Sequence, residues 1–284
     1  MKFNLRNLNT GAVTALLAAV CLFAVNTSAQ NKAEAKNKSR EFCSNNNYSS
    51  DDHISFREVR EMTLPATSSL TVDGGQNGGV RVIGENRNDV LVRACIQTWS
   101  KSEEEAKALA AEIKVETAGT IKAESASGAK DWSVSYEISA PRNTSLSLKA
   151  RNGGISISGV EGNLDFETMN GGVVLRDVAG EVKGRTTNGG VMVSLGGSSW
   201  KGSGLDVETT NGGVTLSMAN SYAAHVETGT VNGGFSSDFS AFSVDRTERW
   251  KPARVSADLN GGGPTIRVIT TNGGITIRSA NKQE

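Results

Sequence analysis

Histidine, cysteine and aromatic residues are scarce in this sequence, and each scarcity excludes something. Two histidines in 284 residues are too few for a histidine-rich metal centre. Aromatic residues make up only 5% of the chain while glycine numbers 32. That balance points away from a helical globule and toward many short strands joined by turns. An excess of either charge is also missing: Lys plus Arg number 30 and Asp plus Glu 30. A nucleic-acid binder would carry a basic surplus. Beyond the N-terminus no apolar run is long enough to span a bilayer.

The N-terminus reads as an address. Lys2 and Arg6 precede an apolar run from Ala12 to Val25, and Thr27-Ser28-Ala29 supplies small residues after it. This is the order of a secretory signal peptide over residues 1–29. Cys21 lies within a poor lipoprotein site, because bulky Val20 precedes it. Residues 30–41 are polar, Lys-rich and without periodicity, as in a linker. Signal removal would leave Cys43 and Cys95, which in an oxidising compartment predict one disulfide. Closing a loop of about 50 residues, it would contribute roughly 4 kcal/mol on the chain-entropy view. The competing reading, a catalytic thiol, has only His53 near it in sequence.

What the chain has in abundance is one motif. Asn-Gly-Gly begins at Asn77, Asn152, Asn170, Asn188, Asn211, Asn232, Asn260 and Asn272, and holds 16 of the 32 glycines. From Asn152 onward the intervals are 18, 18, 23, 21, 28 and 12 residues, periods that call for a repeat architecture. Three residues after the Asn stand Ile155, Val173, Val191, Val214, Phe235 and Ile275. Six before it stand Leu146, Leu164, Val182, Leu205, Val226 and Ile266. Period-two alternation on both sides of a turn gives each repeat two short strands, with Asn-Gly supplying positive φ for the turn.

Two architectures share that pattern. One is an antiparallel meander of hairpins; the other is a β-solenoid whose rungs stack at about 4.8 Å. The outward columns favour the second. Three residues before the Asn the signs run Lys149, Glu167, Arg185, Glu208, alternating as in-register stacking requires. Thr168, Thr186, Thr209, Thr230 and Thr270 form a column able to make a hydroxyl ladder, and the asparagines a matching amide ladder. The copies at Asn77 and Asn260 are out of register and read as caps or as part of a differently wound segment. The expected fold is therefore mainly β: a parallel β-solenoid over residues 152–281, preceded by a small α+β region over 42–151. Its one helix starts at Ser102, whose partner Glu105 makes a capping box, and carries Ala106, Leu109, Ala110 and Ile113 on one face. Pro141 should interrupt a ladder between the two regions.

These features together resemble the putative adhesin family of bacterial exported proteins. The carriers are Gly74 to Val82, the Ser102–Ile113 helix, Tyr136-Glu137-Ile138-Ser139-Ala140-Pro141 and the tandem copies from Asn152, about residues 60–281. Ala140 stands where that family usually has Val. The resemblance implies a β-solenoid-like fold and an envelope or cell-surface role, and brings no catalytic residues.

The residues themselves offer little chemistry. Asp165 and Glu167 project from one strand roughly 6.5–7 Å apart, a separation used in inverting glycoside hydrolysis, and Asp206 with Glu208 repeats the pair. Lys183 and Arg185 lie between and would neutralise both, which opposes a general acid's need for a raised pKa. His53 beside Asp51 and Asp52 reads as a solvated turn, and His225 stands alone. Calcium-loop, nucleophile-elbow and phosphate-loop motifs are missing. Two long departures from the repeat carry aromatics: Trp200, then Phe239, Phe242 and Trp250. On inserted loops these can stack on a sugar or anchor a partner, or fold back over an open end. The sequence thus predicts an exported, non-enzymatic protein of periplasm, cell surface or medium, without cofactor, nucleic acid or integral membrane segment. Surface glycan or envelope protein is the expected partner. A carbohydrate-active β-helix enzyme is the alternative, and filament formation through a bare end rung a third.

Overall fold

The computed structural model describes residues 42–43, 53–242 and 253–280. The expected signal peptide and linker lie outside the described residues, as do Asp51, Asp52 and Trp250. Phe42 and Cys43 are helical and belong to a first compact unit, Met1–Asn47; the second unit is Tyr48–Glu284. Cys43 and Cys95 are disulfide-bonded.

The second unit is mainly β, with two ten-stranded sheets and one helix among the described residues. Strand β1 (Ile54–Pro65) leads to the pair β2 (Ser69–Asp73) and β3 (Val80–Glu85), then to β4 (Asp89–Ser100). Helix α1 (Glu103–Glu112) follows, then β5 (Ile113–Glu116) and the pair β6 (Thr120–Ser125) and β7 (Trp132–Pro141). Four further pairs come in succession: β8 (Ser145–Ala150) with β9 (Ile155–Ser158), β10 (Glu161–Thr168) with β11 (Val173–Arg176), β12 (Ala179–Asn188) with β13 (Val191–Ser194), and β14 (Gly204–Asn211) with β15 (Val214–Met218). The chain ends with β16 (Ala224–Asn232) and β17 (Phe235–Ser237), then β18 (Ala253–Leu259), then β19 (Thr265–Asn272) and β20 (Ile275–Ser279).

Each pair forms a rung, its first strand in one sheet (sheet B) and its second in the other (sheet A). Along the stack the rungs pair in parallel and in register, as in Leu164↔Val182 and Val173↔Val191. The alternation read around each Asn places Leu146, Leu164, Val182, Leu205, Ile266 and Val226 inside from sheet B, and Ile155, Val173, Val191, Val214 and Ile275 from sheet A. All are buried. At about 25 cal/mol per Å2 of apolar surface removed from water, these two facing columns are the main source of cohesion. They bind only neighbouring rungs, as in any repeat stack.

The rungs do not stack in chain order. In space the sequence is β6/β7, β2/β3, β8/β9, β10/β11, β12/β13, β14/β15, β19/β20, β16/β17. At each end one rung is inserted inside its chain neighbour, so simple sequential winding fails there. Residues 42–151 are likewise not separate from the repeat region, because β2 pairs with β8 and β3 with β9. The copy at Asn77 is a full member of the stack. Leu70 and Val72, one position early in sequence, still pair with Leu146 and Leu148, the extra residue being absorbed in the loop between β2 and β3.

Antiparallel strands close both ends. β1 and β4 continue sheet A beyond β7, and β18 lies antiparallel on β16. The Ser102 hydroxyl caps α1 by accepting from the Glu105 amide at 3.2 Å. Glu105 itself accepts from Ser100 at 2.7 Å, so the reciprocal half of the capping box is directed elsewhere. Ala106 and Ala110 are buried, whereas Ile113 already belongs to β5. Pro141 ends β7 rather than interrupting a ladder.

Candidate functional site

Three features of the stacked rungs bear on function: the turn corner, the outer face of sheet B and the aromatic inserts. At the corner, seven asparagine amides form one row. Asn152 Nδ2 donates to Asn77 Oδ1 at 3.0 Å, Asn170 to Asn152 and Asn188 to Asn170 at 2.7 Å. Asn211 to Asn188, Asn272 to Asn211 and Asn232 to Asn272 follow at 2.8 Å. Asn260 stands apart: its φ is 47°, and its amide donates to the carbonyls of Asn220 and Tyr222 at 2.9 Å.

The reason for glycine at this corner differs from the expected one. No residue of the seven stacked copies lies in the left-handed region; only the Asn260 copy does. Instead, a Cβ at Gly153, Gly171, Gly189, Gly212, Gly273 or Gly233 would lie 1.9–2.2 Å from the carbonyl oxygen of the glycine one rung away. Close stacking of backbone, not turn handedness, demands the first Gly of the motif. The threonines are also corrected. Thr168, Thr186, Thr209, Thr230 and Thr270 are buried, and each hydroxyl donates to a neighbouring Gly carbonyl at 2.7–2.8 Å. They tie the corner to the rungs rather than to each other.

Two rows of alternating charge cross the outer face of sheet B. One runs Lys149, Glu167, Arg185, Glu208; the other Asp165, Lys183, Asp206, Arg267, Glu227. Arg185 donates to Glu167 at 2.9 Å, and Arg267 reaches both Glu208, at 2.6 Å, and Asp206. In chain order Asp206 would adjoin Glu227; the inserted β19 sets Arg267 between them. Lys183 contacts Glu181, which holds its ammonium pKa above the ordinary value. Two adjoining depressions of about 330 and 340 Å3 lie on this face, sharing Asp165 and Lys183. The first is edged by Ser145, Ser147 and Asn163, the second by Glu167, Arg185 and Glu208. Nearer the far end, His225 Nδ1 lies 2.7 Å from Asp258 Oδ1, and Ser256 is 3.1 Å from Nε2. The hydrogen bond to Asp258 leads in raising the His225 pKa, against a smaller desolvation by burial.

Among the described residues, the insert aromatics Trp200, Phe239 and Phe242 do not form an exposed binding surface. Trp200 is buried and its Nε1 donates to Gly180 O at 3.0 Å. Phe242 is buried, and Phe239 meets it edge-on with ring centroids 6.2 Å apart. Both pack on the core beside the last rung, which is the fold-back arrangement. His53 is exposed, with Asp51 and Asp52 outside the described residues. Among the described residues, no group of three metal-ligating side chains is assembled, and no helix is long and apolar enough to cross a membrane.

A chain of this architecture, parallel two-sheet rungs sharing a glycine corner, belongs to a class of mainly β, repeat-like proteins. More particularly, residues 30–278 match the Toastrack DUF4097 family, and the chain belongs to it. No curated protein matches it. Among solved structures it is similar to a putative cell adhesion protein from Clostridium sporogenes ATCC 15579, with 13% identity, TM-score 0.42, and 80% of this chain and 100% of that one covered. A putative adhesin from Bacteroides fragilis NCTC 9343 gives 14% identity, TM-score 0.38, and 78% and 97% coverage. A putative lipid binding protein from Parabacteroides distasonis ATCC 8503 gives 10%, 0.30, 78% and 96%.

Proposed function

We propose that this protein is an exported, non-enzymatic β-solenoid that serves the cell envelope as a scaffold or adhesion module, binding through the outer face of sheet B. The observation that carries this reading is the pair of adjoining depressions on that face, one between the two charge rows and the other along the far side of the Asp165–Lys183 row. A rigid, in-register sheet holds alternating charges at about 4.8 Å spacing, a fixed polar template for a chain-like glycan or an envelope protein. The disulfide and the signal-like order of residues 1–29 support export. Glu167, Asp206 and Glu208 sit in ion pairs with Arg185 or Arg267, so each carboxylate is engaged by a guanidinium on the sheet face.

The test is retention of the purified protein by isolated envelope fractions. Lys183→Glu with Arg185→Glu should weaken retention at least tenfold while the folded state persists. Unchanged retention by that variant would remove the proposed face. Release of reducing ends or unsaturated products from acidic polysaccharide would replace the binding reading with the enzymatic one.

A further inference from the structure

The amide row has a direction, and the direction leaves one end exposed. Every Nδ2 donates toward Asn77, whose own Nδ2 has no partner among the described residues. The next rung outward is β6/β7. Val80 pairs with Ile155 on one side and Tyr136 on the other. Since Val80 and Ile155 each follow their Asn by three residues, Ser133 occupies the asparagine's place in that rung. The serine continues no amide row, and a cavity of about 320 Å3 opens where the next amide would stand.

Gln76, Asn77, Lys130, Trp132 and Ser133 line it, together with backbone at Gly74 and around Ala129 and Val134. Neither Asp nor Glu is among the lining residues. Trp132 is half-buried, and its Nε1 donates to Ala129 O at 2.8 Å, which fixes the indole in place. Hydrogen-bonded amides in series polarise one another, so the terminal Asn77 N–H is a better donor than an isolated amide. Lys130, an exposed cation, lines the same cavity. A cluster of donors without a carboxylate selects an anion or an acceptor-rich group. An immobilised indole selects a flat apolar face. An acidic pyranose combines a carboxylate with a C–H face at this size.

We propose that this cavity binds a uronic-acid residue of an acidic polysaccharide, with its carboxylate at Lys130 and Asn77 and its ring against Trp132. The site is distinct from the outer face of sheet B, so Lys183→Glu with Arg185→Glu should leave it intact, and failure of either proposal is readable separately.

Calorimetric titration of the full chain with a trigalacturonate, the neutral galactotriose and inorganic phosphate tests the assignment. The acidic trisaccharide should bind, with both others at least tenfold weaker. Asn77→Asp keeps an oxygen for Asn152 to donate to while replacing the free donor with a negative charge; Lys130→Ala removes an exposed cation. Each should lower affinity at least tenfold at unchanged melting temperature, whereas Asn232→Asp at the opposite end should have no effect. Equal binding of galactotriose would overturn the acidic preference. Equal binding of phosphate would reduce the cavity to a simple anion site, and no binding or unaffected variants would remove it.

Discussion

A methyl group at Gly171 would meet Gly153 O at 2.1 Å, whereas one at Gly172 would lie 3.4 Å from Gly190 O. Two adjacent glycines of one motif therefore carry different constraints. Gly171→Ala should cost about 2–3 kcal/mol or more, the upper range of overpacking because backbone, not side chain, must yield. Gly172→Ala should cost under about 1 kcal/mol by the same reasoning, and urea denaturation of the two variants checks the contrast. Trp200 offers a second case. Buried, with its indole N–H satisfied by Gly180 O, it should lose about 3–5 kcal/mol on truncation to Ala. Its melting temperature would fall, while retention on envelope fractions below the transition would not change. That separates a packing residue from the binding residue its place in an insert had suggested. Composition marks Trp200 as notable; only the course of its loop decides which way the ring turns.

At the scale of elements, strand positions were legible because the inward columns break phase at each Asn-Gly-Gly and again at the second turn of each repeat, as from Ile157 to Leu164 and from Leu175 to Val182. Rung order at the ends was not, because an inserted rung carries the same motif as the rung it displaces. One signal for it did exist. Read in chain order, the column five residues before the Asn sets Asp206 against Glu227, a like-charge contact; placing Arg267 between them restores alternation. The candidate cavity at Asn77 was hidden for a related reason, since Ser133 takes an asparagine's position without resembling one. The seam between β16 and β18 is where pH should act. His225 has a raised pKa in the folded state, led by its hydrogen bond to Asp258. A raised pKa means the charged form is favoured by folding. The contribution is thus fully present below the ordinary value near 6.5, and is lost as pH rises through the higher folded value. Melting temperature should fall from pH 5.5 to pH 8.5 by a larger margin in the wild type than in His225→Gln. Equal margins would place the pH dependence elsewhere.

Over the whole molecule, the inserted rungs change what an end is. The last residues of the described chain form β19/β20, yet this rung lies between β14/β15 and β16/β17. Deleting residues 265–280 would therefore cut an interior layer. It would remove Arg267 from between Asp206, Glu208 and Glu227, and leave the buried Thr230 hydroxyl without Gly273 O. Nearest-neighbour stacking makes stability a sum over rung interfaces, and this deletion loses two of them rather than one. The opposite change should be tolerated. Duplicating residues 152–187 adds two 18-residue repeats between rungs already in parallel register and keeps both charge rows alternating. It extends the Asn row and the Thr contacts by two steps each. The longer protein should unfold cooperatively at a denaturant midpoint equal to or above that of the parent, with a steeper dependence on denaturant from its larger buried surface. The truncated one should be unfolded or markedly less stable. A truncated chain as stable as the parent would mean that β19/β20 is a terminal layer after all, and the spatial order of the rungs would have to be redrawn.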